Sequence, residues 1–344
     1  MFGIKNALFL KAPHFWWRPV QGRGVRFLSY FGVLWTGLAR LKRALSEKPI
    51  QAPFPVISVG NLVMGGAGKT PVTLWLARLL QQHAICPLVV SRGFGGSIRH
   101  PLKVDPACHT VEQVGDEALC MVKHVPCYVA SPRRGVLALL KDASSNSVLM
   151  LDDAHQHTSL IKDLSFVVVD QAQGFGNGHV PPAGPLREPI HQGLGRANGV
   201  ILIGEPSKDL EQSISRHAPH VPLFHAKLHP IPSLAPNTPV LGFAGIGFPA
   251  KFEQTLQDLG LDIVGFEAFP DHYPYKRRDV ERLKNLASQA QATLVTTEKD
   301  WVRLPKDIQD QVHVIQIEIQ MKPESEAALK ALVMHRLRQQ KRNL

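Results

Sequence analysis

The sequence predicts an α/β protein built on a parallel sheet covered by helices on both faces, with a second, smaller α/β unit after it. Three observations predict this. Continuous β-branched runs alternate with helical stretches, which is the pattern of strands buried on both sides. The first strand runs directly into a glycine-rich turn and a helix. Between residues 205 and 238 the regular pattern is broken by Pro222, Pro230, Pro232 and Pro236, and a new alternation starts at Pro239.

The chain has 344 residues, enough for about two domains at roughly 100–200 residues each. Hydrophobic content of 44% and charged content of 19% describe a folded protein with a sizeable core. Cys86, Cys108, Cys120 and Cys127 form no Cys-x-x-Cys pair and complete no zinc pattern, so they read as reduced thiols.

Residues 1–48 come first. Residues 1–50 hold nine Lys or Arg against Glu47 alone, which accounts for eight of the eleven net positive charges. The rest of the chain is nearly balanced, which argues against a nucleic-acid-binding face spread over the fold. The same segment carries FWW at 15–17 and the apolar run FLSYFGVLWTGLA at 27–39, closed by Arg26 and Arg40. A spanning helix needs about 20 apolar residues, so this run predicts a helix lying in a membrane interface. Its aromatic residues would meet the headgroups and its Lys and Arg the anionic lipid. No small-residue cleavage site follows, which argues against a signal peptide.

The core, expected over 49–224, shows strands at 55–59, 87–91, 147–151, 166–170 and 199–203. Helices are expected at 70–82, 116–124 and 132–142. After the proline-rich stretch, read as a connection, a second unit spans 225–344. It has strands at 239–246, 261–266, 292–297 and 312–317, helices near 249–260 and 277–290, and a basic helix at 323–340.

The first strand opens VISVGNLVMGGAGKT (56–70). In a strand–loop–helix, glycines let backbone N–H groups converge on phosphate oxygens at a helix start. Met64, Gly65, Gly66, Ala67 and Gly68 form the candidate cradle for ATP. Lys69 would reach the β- and γ-phosphates, and the Thr70 hydroxyl would ligate Mg²⁺. The loop therefore predicts a P-loop NTPase-like sheet. The usual spacing asks for glycine where Val63 stands, an irregularity that spacing alone does not explain. Partitioning-type ATPases carry a lysine at the place of Met64, so that class is disfavoured.

LMLDDAHQH (149–157) ends a strand in two carboxylates, which the parallel sheet delivers to the loop's own edge. Asp152 and Asp153 are the candidate metal residues. Gln156 and His157 are read as groups near the phosphates or metal, since one His-x-His is a poor zinc argument. Asp116 and Glu117 open a helix. They read either as a favourable charge at its N-terminus or as a general base for a hydroxyl nucleophile. His272, in FPDHYPY (269–275), reads on its own as a loop histidine.

Taken together, these residues resemble one family, tetraacyldisaccharide 4'-kinase, the lipid A 4'-kinase of Gram-negative bacteria. The resemblance follows the motif order over nearly the whole chain: VGN…GGAGKTP (59–71), SRGFGG (91–96), GDE (115–117), DDxxQH (152–157), GFGNG (174–178), PAGPLREP (182–189), FAGIG (243–247), FPDHYPY and TTEKD (296–300). It implies transfer of the ATP γ-phosphate to the 4'-hydroxyl of tetraacyldisaccharide 1-phosphate, giving lipid IVA. It also implies Mg²⁺, an acylated disaccharide phosphate lipid as partner, and work at the cytoplasmic face of the inner membrane on its anionic surface. Neither nucleic acid nor an obligate protein partner is implied. By the same resemblance Lys69, Asp116 and His272 are catalytic, with Asp116 the base and His272 paired to it, and Gln156 lies at ATP. Ser91, Arg92, Gly93, Glu117 and Arg134 would line the acceptor cleft. Ala154, His155 and Thr158 depart from the family pattern, which bears on the shape of that loop. The competing expectation is a membrane-associated P-loop ATPase or switch without a small-molecule acceptor.

Overall fold

The structure, a computed structural model, describes residues 13–17, 23–45 and 48–341. The basic residues Lys5, Lys11 and Arg18, and Glu47, lie outside the described residues. The strands are β1 (Val56–Gly60), β2 (Cys86–Ser91), β3 (Leu102–Lys103), β4 (Cys127–Val129), β5 (Ser147–Asp152), β6 (Leu164–Asp170), β7 (Gly199–Ile203), β8 (Leu223–Pro230), β9 (Pro239–Ala244), β10 (Asp262–Ala268), β11 (Thr293–Thr297), β12 (His313–Ile315) and β13 (Ile317–Met321). The α-helices are α1 (Arg23–Ala44), α2 (Lys69–Gln82), α3 (Val111–Val114), α4 (Asp116–Val122), α5 (Ile190–Leu194), α6 (Lys208–His217), α7 (Pro249–Asp258), α8 (Arg277–Gln289), α9 (Glu298–Trp301), α10 (Lys306–Gln309) and α11 (Pro323–Lys341).

Nine strands form the large sheet, in the order β13-β8-β7-β6-β1-β5-β2-β4-β3. Only the outer pairs, β13 with β8 and β3 with β4, are antiparallel. Strands β1, β5, β6 and β7 are buried along their whole length, as the continuous apolar runs require. Alternate residues serve opposite layers. Phe166 and Val168 pack into the cluster that holds Leu76 and Leu80 of α2, whereas Val167 and Val169 pack with Leu194 and Ile214. Four parallel strands, β10-β9-β11-β12, form the second sheet.

The structure departs from the sequence expectations in several places. The stretch read as a connection contains α6 and β8, because Pro222 and Pro230 punctuate the ends of β8 rather than interrupt it. The run at 312–317 is split between two sheets. β12 closes the small one, while β13 returns to pair with β8 in the large one. Helix α11 follows β13, and its Leu329, Val333 and Leu337 join the same cluster as α2. The stretch from Ile317 to Lys341 thus packs with the first sheet rather than with the second unit. The stretch at 132–142 is a 3₁₀ helix over Arg133–Leu139.

Ahead of the sheets, α1 runs 22 residues and exposes Phe27, Tyr30, Phe31, Leu34, Trp35 and Leu38. Among the described residues, no helix is long and apolar enough to cross a membrane. The aromatic cluster before α1 behaves differently from the expectation of lipid contact. Trp16 is buried, donates its indole N–H to Pro182 O at 3.1 Å, and accepts Asn177 N–H at 2.8 Å. Trp17 meets Phe248 edge-on at 5.6 Å. Both rings therefore fix the segment to the body of the protein.

Gly60 ends β1 where the loop 152–157 crosses it. A Cβ there would lie 2.6 Å from His155 Cβ and 2.8 Å from its backbone nitrogen. Gly60→Ala is expected to destabilise the fold by about 1–3 kcal/mol through overpacking, read as a lower urea midpoint with an unchanged slope.

Candidate active site

The turn after β1 is clamped before it reaches its glycines. Val63 forms an antiparallel bridge with Leu186, and Met64 N–H donates to Pro185 O at 2.8 Å. Val63 is buried in the cluster with Leu186 and Leu194. A side chain with β propensity suits this extended, buried place, which accounts for the missing glycine. The Met64 N–H is engaged by this bridge, which takes Met64 out of the candidate phosphate cradle. Gly65 and Gly68 both have positive φ, 113° and 78°, and Gly68 leads directly into α2. A Cβ at Gly68 would also meet Ile203 Cδ1 at 2.6 Å.

Gln156 props the loop from behind. Its amide nitrogen donates to Asn61 O at 2.9 Å and to Glu188 Oε1 at 3.0 Å. Glu188 is held in turn by Arg196 at 2.7 Å on both oxygens. Asn61 and Glu188 hold its amide hydrogens, so Gln156 supports the cradle rather than lining it.

Lys69, the first residue of α2, lies 3.7 Å from Asp153 Oδ1, and Arg187 reaches the same oxygen at 2.7 Å. Burial would raise the Asp153 pKa, but Lys69 and Arg187 outweigh it and hold the carboxyl well below its usual range. Asp152, at the end of β5, accepts Thr73 Oγ1 at 3.2 Å. Burial, with the charges of Glu117 and Asp153, pushes its pKa up to about 7. Arg133 is buried beneath the turn and donates to Asp152 O at 2.5 Å and Asp153 O at 3.0 Å. Among the described residues, no group of three or more His, Cys, Asp or Glu is placed to hold a metal alone.

The 91–96 loop packs on the turn that starts α4. Gly93 and Gly115 have positive φ, and a Cβ at Gly115 would lie 2.4 Å from Phe94 O. Ser91 is buried, its Oγ accepting Gly93 N–H at 3.3 Å, while Arg92 is exposed. Arg134 is half-buried on the 3₁₀ turn beside Arg133. Glu117 pairs with Lys299 at 3.6 Å.

Asp116 is brought against the second sheet. His272 Nδ1 lies 2.8 Å from its Oδ2, a contact 156 residues apart in sequence. Arg303 reaches the same oxygen through Nε at 2.7 Å. Arg303 itself donates to Gly245 O at 2.7 Å and to Asp300 Oδ1 at 3.0 Å. Asp300 is fully buried and also accepts Gly245 N–H and Tyr275 O–H, each at 2.9 Å. The three motifs FAGIG, FPDHYPY and TTEKD thus converge on one buried carboxylate. The phosphate loop is near: a Cβ on Gly247 would lie 3.4 Å from Gly66 N and 3.5 Å from Asp271 Oδ2.

The departure at His155 is structural. Its Nε2–H donates to Gly193 O at 2.8 Å, and Nδ1 accepts Ser165 Oγ at 2.8 Å. Sequence reasoning missed Arg303, Lys299, Arg187, Glu188 and Arg133 as site residues. Lys299, Arg187 and Glu188 lie inside motifs it recognised, Arg303 stands three residues past one, and Arg133 adjoins the Arg134 it chose.

The fold and loop define a P-loop phosphotransferase. A family described as Tetraacyldisaccharide-1-P 4'-kinase (LpxK) matches residues 25–338. The chain is 43% identical over 313 residues to a Tetraacyldisaccharide 4'-kinase of Rhodospirillum rubrum, covering 90% of this chain and 93% of the relative. It is 39% identical over 332 residues to one of Methylobacterium sp. (strain 4-46), covering 96% and 98%. A crystal structure of LpxK from Aquifex aeolicus in complex with ATP matches with a TM-score of 0.71 at 25% identity, covering 91% of this chain and 99% of that one. The chain belongs to the tetraacyldisaccharide 4'-kinase family.

Burial, opposed by its bond to Gly193, lowers the His155 pKa to about 4. The folded value lies below the unfolded value of about 6.5, so its contribution is complete above about pH 6.5 and is lost as pH falls toward 4. Urea midpoints measured between pH 7 and 4.5 are expected to fall, and to fall less steeply in His155→Gln. His157, also lowered to about 4 by burial, leaves part of the slope.

Proposed function

We propose that this chain transfers the γ-phosphate of ATP to the 4'-hydroxyl of a tetraacyldisaccharide 1-phosphate, at a membrane surface. The observation that carries this reading is the 2.8 Å contact between Asp116 and His272 beside a phosphate-binding loop. A proton acceptor next to a phosphate cradle is what phosphoryl transfer to an alcohol needs. A nucleotide switch without an acceptor has no use for such a pair.

Gly65, Gly66, Ala67 and Gly68 would bind phosphate oxygens through backbone N–H groups. Lys69 would leave its long contact with Asp153 for the β- and γ-phosphates. Thr70, Asp152 and Asp153 fit Mg²⁺ as a donor set: a hydroxyl and two carboxylates at one sheet edge, with the buried Asp152 carboxyl raised to about 7 where a cation would relieve it. When bound with ATP, the cation supplies charge neutralisation between the phosphates. Arg92, Arg134 and Arg187 give the cleft positive charge for an acceptor that already carries a phosphate. Ser91 and Gly93 shape the loop that bears Arg92, and Glu117 positions Lys299 beside the pair.

An acceptor with four acyl chains does not leave a bilayer readily, since burial stabilises each CH₂ by about 0.8 kcal/mol. The exposed apolar side chains of α1 suit docking on that surface, at the cytoplasmic face where ATP is supplied.

Lys69→Ala is expected to lower kcat more than about 100-fold with the fold intact. The assay is ATP, Mg²⁺ and the acceptor in detergent, with mass analysis for one added phosphate. Turnover within about threefold of wild type would falsify the role of the loop. Changing Phe27, Phe31 and Leu34 together to Ser is expected to abolish flotation with anionic liposomes at an unchanged melting temperature. Undiminished flotation would move the membrane contact to another surface.

A further inference from the structure

Trp16 is 3% exposed, although it stands on the segment leading to a helix whose apolar face is open to solvent. Its indole and its backbone are engaged by one stretch of the large unit. The indole N–H donates to Pro182 O at 3.1 Å, and Trp16 O accepts Asn177 N–H at 2.8 Å. Asn177 repeats the grip with its side chain: Nδ2 donates to Phe15 O at 3.3 Å and to Ala183 O at 2.7 Å. The approach is close enough that a Cβ on Gly176 would lie 2.4 Å from Trp16 O. Helix α1 rests on the same stretch, since a Cβ on Gly32 would lie 2.8 Å from Val180 Cγ2.

The far end of that stretch holds the phosphate loop. His179 O accepts Leu186 N–H at 2.9 Å, which folds the stretch back on itself. Pro185 O accepts Met64 N–H at 2.8 Å, Leu62 O accepts Arg187 N–H at 2.7 Å, and Val63 pairs with Leu186. Arg187 then reaches the Asp153 oxygen that Lys69 also approaches. Trp17 comes to the loop from its other flank. Its ring meets Phe248 edge-on at 5.6 Å, and Phe248 Cε2 would lie 3.7 Å from a Cβ on Gly65. Trp17 and Val180 both pack on the buried cluster that contains Leu62, Val63 and Leu186. Two consecutive tryptophans thus touch the supports on either side of the phosphate cradle.

Resting on the docking and kinase readings above, we infer that Trp16 and Asn177 are positioning residues that couple the lipid-facing helix α1 to the nucleotide loop. Each acts through the stretch 177–187, whose other end fixes Met64 and Arg187. A membrane that holds α1 steadies Val180 and Trp16, and through them the frame of the loop. Less conformational freedom is then lost when phosphates bind. Coupling of this kind is reciprocal: the factor that the surface adds to nucleotide affinity is the factor that nucleotide adds to surface affinity. The enzyme is thereby loaded with ATP preferentially at the bilayer, where its acceptor lies.

The test uses the full chain, phosphatidylglycerol vesicles, and Mg²⁺ with a non-hydrolysable ATP analogue, read by calorimetry and by flotation. Vesicles are expected to tighten binding of the analogue at least about fivefold, and the analogue to tighten vesicle binding by the same factor. Trp16→Phe removes the bond to Pro182, and Asn177→Ser those to Phe15 and Ala183. Each is expected to bring both factors below about twofold while the protein still floats with vesicles. Leu337→Ala opens a cavity in the core beneath α11, away from this path, and is expected to lower the melting temperature with both factors kept. Wild-type protein that binds vesicles with no change in analogue affinity would overturn the inference. So would factors retained in both variants, or lost in Leu337→Ala as well, which would leave Trp16 a role in stability alone. If Trp16→Phe fails to fold, Asn177→Ser and the wild-type factors decide. The readings beneath fail in different ways. Absence of vesicle binding by the wild type removes the docking surface and the coupling with it. Absence of phosphorylated acceptor, with both factors present, removes the kinase reading alone.

Discussion

One buried carboxylate, Asp116, ties the two sheets together. It belongs to the large sheet's layer, yet its strongest partners, His272 and Arg303, come from the small one. A buried charge is costly unless it is paired and hydrogen-bonded, and removing one partner of such a pair costs about 3–5 kcal/mol. The contact therefore fixes how the carboxyl ends of β9 and β11 face the phosphate loop. Lesser contacts follow the same seam. His124 meets Glu298 at 2.8 Å, Lys123 lies 3.5 Å over the Trp301 ring, and Lys251 pairs with Asp170. The site exists only where these two surfaces meet.

The phosphate loop is held with comparable care. Its first half is made rigid by the bridge from Val63 to Leu186, and its base by Gln156, Glu188 and Arg196. The 182–189 segment thus contributes to the nucleotide loop without resembling one in sequence. A loop fixed before its ligand arrives loses less conformational freedom on binding, which favours affinity and alignment alike.

Much of this was legible in the sequence. The β-branched runs of β1, β5, β6 and β7 have no other good solution than a buried parallel sheet, and the Gly-Lys-Thr turn after β1 has one chemistry. The pairing of Asp116 with His272 came from family resemblance, because nothing local links residues so far apart. What stayed hidden depends on long-range packing. β8 was masked by the prolines that bound it. β13 was fused with β12 because a run of Val and Ile does not say which sheet it joins. Trp16 looked like a lipid anchor because burial against Pro182 and Gly176 cannot be read from composition. Arg303 lay just outside a recognised motif, and only the fold brings it to Asp116.

The small sheet begins after β8 and ends before β13, and these two strands are antiparallel neighbours at one edge of the large sheet. Their pairing continues to the junction, where Ile231 N–H reaches Gln316 O at 2.9 Å. The unit is therefore inserted by two adjacent chain ends rather than suspended from a single linker. A body held at two neighbouring points resists translation and twisting, and keeps one easy rotation, about the axis through those points. Any opening of the cleft to exchange ADP for ATP is thereby confined to an arc, and each return along that arc brings His272 and Arg303 back to the same carboxylate.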